Sequence, residues 1–311
     1  MSLPAIDFLG IGAQRAGTTW LWKCLRRHPD LYLPAVKELH YFDRPPADGH
    51  RQVSLGRLRT AWFGRGNREH ASHRHVADPL GDIKPRSTLA TALGGLADLV
   101  SFRRSGSWDD VRYLRQFEAG AGKVKGEITP AYALLDDEGV RHAVRLSNDL
   151  KVIFILRDPL SRALSSLRLR FHRSEKGLRP PPGDTAKYIV SKSVTDRGDY
   201  LRTIDTWGRH IPAERFFIGW YDDTLTDPEG MLRKVMVFLG VDPESPQVLA
   251  LAHNRFNRAE IQDTGVPAEA VRGMAREMRP LIAAMKERLG GHAIGWLERC
   301  DRVIAGEPHD G

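Results

Sequence analysis

Short apolar runs alternate with amphipathic stretches along most of the chain. Ile6 to Gly10, Lys123 to Ile128, Lys151 to Leu156 and Arg215 to Trp220 are rich in apolar and β-favouring residues, and turn residues or charges bound each run. Such runs are the signature of strands buried on both faces. Helical periodicity marks Thr18 to Arg27, Val140 to Leu146, Leu160 to Arg173, Tyr200 to His210 and Pro228 to Leu239. The last of these has Asp227 placed to cap it, Pro228 in its first turn and Gly240 just past its end, the expected punctuation of a helix. The alternation predicts an α/β fold: a doubly wound sheet of mainly parallel strands flanked by helices, with ligands at the carboxyl ends of the strands.

Two stretches break the alternation. Arg44 to Leu80 and Leu178 to Thr195 are polar and rich in Gly, Pro or His, and are read as long loops of the kind that wall a substrate or close over it. No internal repeat is present, and a single domain over 1–311 accounts for the length. No run approaches the roughly 18 apolar residues of a membrane helix and no secretory leader is evident, so a cytoplasmic protein without integral membrane contact is expected. Cys24 and Cys300 form no CxxC and are read as reduced packing residues. The net charge of +8 favours acidic ligands, but basic residues are scattered among acids. With no RNA-binding aromatic signature and no zinc-finger spacing, a basic cleft for a polyanionic small molecule is expected and a nucleic acid is not.

The segment GIGAQRAGTTWLWKCL, from Gly10 to Leu25, falls where a strand turns into a helix. A nucleoside-triphosphatase loop reads GxxxxGK[ST], its lysine reaching the β and γ phosphates. Gly12 and Gly17 have that spacing, but Thr18 stands at the lysine position and Arg15 lies inside the loop. The backbone N–H groups of Gly17, Thr18 and Thr19 still suit an oxyanion at a helix N-terminus. In KVIFILRDPLSRALSSLRLR, Arg157 follows a strand, Asp158 can cap, Pro159 opens a helix and Ser165 lies about two turns along it. Arg157 would be a fork for phosphate and Ser165 a neutral donor. Taken alone, each segment also admits a plain turn and a solvated ion pair.

Together, GAQRAGTTWL and RDPLSRALS resemble the 5′-phosphosulfate loop and the 3′-phosphate motif of sulfotransferases that use 3′-phosphoadenosine 5′-phosphosulfate (PAPS). HPDLYLPAVKELHYFD and GEITPAY resemble the carbohydrate branch of that family, heparan sulfate enzymes included, and DPEGMLRKVMVFLGV is similar to a late helix. Only the two long loops and the C-terminal tail lack counterparts. The resemblance implies a P-loop-like fold, PAPS as donor, adenosine 3′,5′-bisphosphate as product and no metal. It places Arg15, Ala16, Gly17, Thr18, Thr19 and Trp20 at the 5′-phosphosulfate, and Arg157 and Ser165 at the 3′-phosphate. It also makes Glu38, in KELHYFD, the base for the acceptor hydroxyl, with His40 and Asp43 as neighbours and His40 as the alternative base. Lys37 would add positive charge nearby.

Two departures from the family pattern matter. Arg15 replaces a lysine, so it is expected to clamp charge on the leaving group rather than donate a proton. Ile128 replaces a lysine before the Thr-Pro pair, which points away from a heavily sulfated polysaccharide and toward a neutral sugar, glycolipid or hydroxylated secondary metabolite. Glu127 is read as a buried acid satisfied by neighbouring backbone, or else as an acceptor contact. His70, His73 and His75 before Asp78 are read as loop residues rather than a zinc site. Trp62 and Phe63 are candidates for the acceptor wall, and Arg255 and Arg258 either reach the 3′-phosphate or form a solvated turn. Two rivals remain open: a magnesium-dependent P-loop kinase for a small molecule and a nucleotide-binding module without catalysis.

Overall fold

The structure, a computed structural model, describes residues 5–43, 108–147, 149–172, 191–254, 256 and 266–308. The interruption at 44–80 lies outside these residues, and so does most of the second one. Among the described residues, five strands form one sheet: β1 (Phe8–Gly12), β2 (Leu31–Tyr32), β3 (Val124–Ile128), β4 (Lys151–Leu156) and β5 (Phe216–Trp220). Their order is β2-β3-β1-β4-β5 and every pairing is parallel. β1 is therefore central, and all five of its residues are buried. A parallel sheet requires apolar residues on both faces, which is why its strands read as unbroken runs rather than as alternations.

β1 starts two residues later than the run Ile6 to Gly10 suggests and continues through Gly12. Its glycines serve close packing as well as the turn. A Cβ on Gly10 would lie 2.8 Å from the Ile128 side chain of β3, so only a bare backbone lets the two strands meet. β2 is a two-residue edge strand pairing Leu31 with Val124, too short to carry a periodic signal.

The helices are α1 (Thr18–Leu25), α2 (Asp110–Arg115), α3 (Asp137–Arg145), α4 (Pro159–His172), α5 (Lys192–Thr195), α6 (Tyr200–Gly208), α7 (Asp223–Thr226), α8 (Pro228–Leu239), α9 (Pro246–Leu249), α10 (Ala268–Leu289) and α11 (His292–Ala305). α3 begins three residues before Val140 because the Asp136 carboxylate accepts the Gly139 N–H at 3.1 Å and fixes the start there. The expected punctuation of α8 is present: Asp227 accepts the Gly230 N–H at 2.9 Å, and Gly240 ends the helix at φ 81°. α5 corrects the reading of the second interruption as loop to its end, since Lys192–Thr195 is a helical turn. The C-terminal tail, to which no structure was assigned, forms α10 and α11, a helical pair joined at Gly290 and Gly291. α10 packs against α11 and α4, burying Met274, Met278, Ile282 and Met285. Both cysteines are buried free thiols, each pushed up to about 12 by burial.

Candidate active site

The loop between β1 and α1 ends on Gly17, which caps α1 in the left-handed region at φ 76° with no side chain accepting from the first turn. No acid occupies that turn either. The start of α1 therefore keeps its partial positive charge and its donors directed outward. A Cβ on Gly17 would meet the Tyr221 ring at 3.3 Å, so the glycine also lets that ring close on the loop. Ala16 is fully buried, and Thr18 is 7 % exposed with its hydroxyl accepting from Lys37 Nζ at 3.3 Å. Trp20 turns inward, its indole N–H donating to the Ala252 carbonyl at 2.8 Å. It offers the cradle only its main chain.

Arg157 leaves the end of β4 beside this loop. Its guanidinium donates to the Arg15 carbonyl at 2.8 Å and lies 4.6 Å from the centroid of the Tyr221 ring. The Tyr200 hydroxyl donates to the Arg157 carbonyl at 2.7 Å. Asp158 caps α4, accepting from the Leu160 N–H at 3.0 Å and the Ser161 hydroxyl at 2.9 Å. Arg15, at φ 71°, donates from Nε to the Ser165 hydroxyl at 3.0 Å. The two motifs, about 150 residues apart, thus meet through the Arg15–Ser165 bond and the Arg157 bond to the Arg15 carbonyl.

The KELHYFD segment follows β2 and approaches the same loop. The Lys37 ammonium forms an ion pair with the Glu38 carboxylate while holding the Thr18 hydroxyl. His40 Nε2 lies 3.6 Å from Glu38 Oε2, and its Nδ1 is 2.7 Å from Asp43 Oδ2. Burial alone would raise the Glu38 carboxyl, but the His40 ring and the Lys37 ammonium hold it down to about 2. Burial opposes charge on His40, yet Asp43 and Glu38 hold it up at about 9. At neutral pH the segment is thus a row of alternating charges. Glu38 and His40 have φ of 63° and 55°, values that residues with a Cβ adopt only under constraint.

Glu127, at the end of β3, is 1 % exposed. Its carboxylate accepts from the Tyr113 and Tyr132 hydroxyls at 2.9 and 2.8 Å, the Thr129 hydroxyl at 2.7 Å and the Leu39 N–H at 3.1 Å. It is a satisfied buried acid as expected, but the expected backbone partners are corrected: three of the four are side-chain hydroxyls and only Leu39 donates from its main chain. Burial pushes its carboxyl up while the four donors pull it down. Ile128 is fully buried and presents no charge to the site.

The model of the sulfotransferase family matches residues 8–245 of this chain. The chain belongs to the sulfotransferase family. It is 23% identical over 255 residues to mouse heparan sulfate glucosamine 3-O-sulfotransferase 3B1, covering 80% of this chain and 49% of that one. The human 3B1 protein is 24% identical over 260 residues, with the same shares of the two chains. The chain thus spans about half the length of the curated relatives it matches. A sulfotransferase from Alicyclobacillus acidocaldarius superposes with a TM-score of 0.62 at 20% identity, covering 95% of this chain and 99% of that one. The sulfotransferase domain of the curacin biosynthetic pathway gives 0.53 at 20% identity, covering 81% and 78%. These likenesses show the fold.

In this chain the structure makes two contact groups, Arg15 with Arg157 and Ser165, and Thr18 with Lys37, Glu38 and His40, joined by the main chain of the loop before α1. Sequence reasoning missed Tyr221 and Tyr200. Tyr221 directly follows β5 at its carboxyl end, where the general rule for ligands in α/β sheets could have found it. Trp62, Phe63, His70, His73, His75, Asp78, Arg255 and Arg258 lie outside the described residues. No helix among the described residues is long and apolar enough to cross a membrane.

Proposed function

We propose that this sulfotransferase moves a sulfuryl group from PAPS to a hydroxyl of a carbohydrate, glycolipid or secondary metabolite, without a metal. The observation that carries the reading is the chain of contacts from Ser165 through Arg15 and the α1 loop to Thr18, Lys37 and Glu38. It joins an uncapped, cationic helix start to an ionised carboxylate. The residues fit the donor: α1 begins with no acid and no side-chain cap, as an anion-binding turn requires, and two guanidinium groups stand beside it. When bound, the donor supplies the sulfuryl group and an adenosine 3′,5′-bisphosphate leaving group.

The main-chain donors of Gly17, Thr18 and Thr19 hold the 5′ side and Arg157 with Ser165 holds the 3′-phosphate. Glu38 accepts the acceptor's hydroxyl proton as that oxygen bonds to sulfur and the bond to the leaving oxygen breaks. His40, held protonated by Asp43 and Glu38, has no free lone pair for this task, which favours Glu38 over it as base. A carboxyl near 2 is ionised at every physiological pH but weakly basic, so its contribution is alignment more than proton affinity. The Arg15 Nε is engaged with Ser165, whereas the Lys37 ammonium spans the cradle hydroxyl and the base. These contacts support a role for Lys37, beside Arg15, in stabilising the charge that develops on the leaving oxygen.

The kinship with enzymes named for heparan sulfate glucosamine supports a carbohydrate acceptor, and the buried Ile128 supports one without dense sulfation. The two buried free thiols are in keeping with a reducing cytoplasm. Calorimetric titration with adenosine 3′,5′-bisphosphate and, separately, with ATP and magnesium tests the donor class. Binding of the bisphosphate alone, followed by EDTA-insensitive transfer from PAPS to a panel of hydroxylated acceptors, is expected. Preference for magnesium ATP would make the protein a kinase. Bisphosphate binding without transfer to any acceptor would leave a nucleotide-binding module.

A further inference from the structure

Leu39 lies between two non-glycine residues in the left-handed region, Glu38 at φ 63° and His40 at φ 55°. Such a stretch relaxes unless its surroundings over-determine it. Among the described residues, its main-chain donors at Leu39 and Tyr41 are held by one carboxylate and one phenol. Glu127 takes the Leu39 N–H directly at 3.1 Å. The Tyr132 hydroxyl takes the Tyr41 N–H at 2.9 Å and donates its own proton to Glu127 at 2.8 Å. The two main-chain donors on either side of His40 therefore end on a single buried acid. Tyr113 donates to that acid at 2.9 Å, but neither of these two loop amides is bonded to its hydroxyl.

From this geometry we infer that Glu127, acting with Tyr132, is a positioning residue: it fixes the main chain at 39–41 so that Glu38 and His40 face one another beside Lys37. The inference rests on the reading of Glu38 as base. Glu127 lies in the core and acts through the loop it holds.

Tyr132→Phe and Tyr113→Phe each remove one hydroxyl donor from Glu127 in the full chain, but only the first releases a loop amide. The decisive readout is the titration of His40 by proton NMR, assigned through His40→Asn, because the charge on His40 depends on its placement against Glu38 and Asp43. In Tyr132→Phe the His40 midpoint is expected to fall from about 9 toward the ordinary 6.5. Turnover with PAPS and a responsive acceptor should fall about 10-fold or more, while the Kd for adenosine 3′,5′-bisphosphate stays within about 2-fold. In Tyr113→Phe the midpoint should stay put. Glu127→Gln keeps an acceptor for Leu39 and is expected to hold the midpoint better than Glu127→Met, which keeps only the volume.

Equal shifts in the two tyrosine variants, or a shift in neither, would overturn the inference. So would a wild-type His40 that titrates near 6.5. Intact turnover in Glu38→Gln removes the base assignment instead, and leaves Glu127 to be judged by the titration alone.

Discussion

The two sides of the active site are made by different means. The proposed donor side joins main chain at the ends of regular elements, the last residue of β1 and the first turn of α1, to the side chains of Arg157 and Ser165. The acceptor side, residues 37–43, is irregular chain held in unfavourable dihedrals by side chains from β3 and the turn that follows it. A cradle of backbone amides tolerates many side chains around it, as Thr18 at the usual lysine position illustrates. A loop kept in place by a buried carboxylate depends on a few particular atoms. On the proposed reading, binding of the nucleotide and alignment of the base are thus expected to be separable.

Four experiments can break or sharpen that contrast. Glu38→Gln should cut kcat by roughly 10² to 10⁴, the usual value of a general base, with bisphosphate affinity unchanged by calorimetry; unchanged turnover would return the base to the unassigned residues. Arg157→Ala should weaken bisphosphate binding by about 1.5–3 kcal/mol, the scale of a hydrogen bond to a charged group. An unaltered isotherm would remove Arg157 from the donor site. Asp227→Ala, far along the chain at the start of α8, should cost about 1 kcal/mol of unfolding free energy, as for other lost caps, and leave both kcat and nucleotide Kd alone. A kinetic effect there would mean that the scaffold and the site are not independent.

The smallest effects concern pH. Glu38 is depressed from 4.5 to about 2, so its contribution to stability is present above 4.5 and lost as the pH falls through 2. His40 is raised from 6.5 to about 9, so its contribution is full below 6.5 and lost as the pH rises through 9. Denaturation midpoints of wild type and Glu38→Gln should therefore converge in acid, and those of wild type and His40→Asn should converge in alkali. Divergence in either direction would contradict the charge row at 37–43.

The donor side was legible because local chemistry writes it. Gly17, Arg157, Asp158 and Ser165 follow from the strand-to-helix grammar, and the caps at Asp227 and Gly240 fall where that grammar puts them. The end of β1 was placed two residues early because Gly10 and Gly12 signal turns, whereas here they admit Ile128 and Phe154 to close contact. α10 escaped although Met274, Met278, Ile282 and Met285 recur at helical spacing; Gly273 and Pro280, the latter inside the helix, and its many charges obscured the stripe. Glu38 and His40 were found by resemblance. Their link to Glu127 spans 88 residues and has no local signature, since it depends on how a loop docks against a strand end.

The place of β1 has a consequence for how the protein is made. Phe8 is aligned with Gly126 on one side and Lys151 on the other, so the central strand is synthesised long before either neighbour exists. At about 5–20 residues per second, it waits on the order of ten seconds on the ribosome with both edges open and its apolar faces uncovered. During that interval the segment that becomes the loop before α1 is only a glycine-rich stretch behind an unpaired apolar strand.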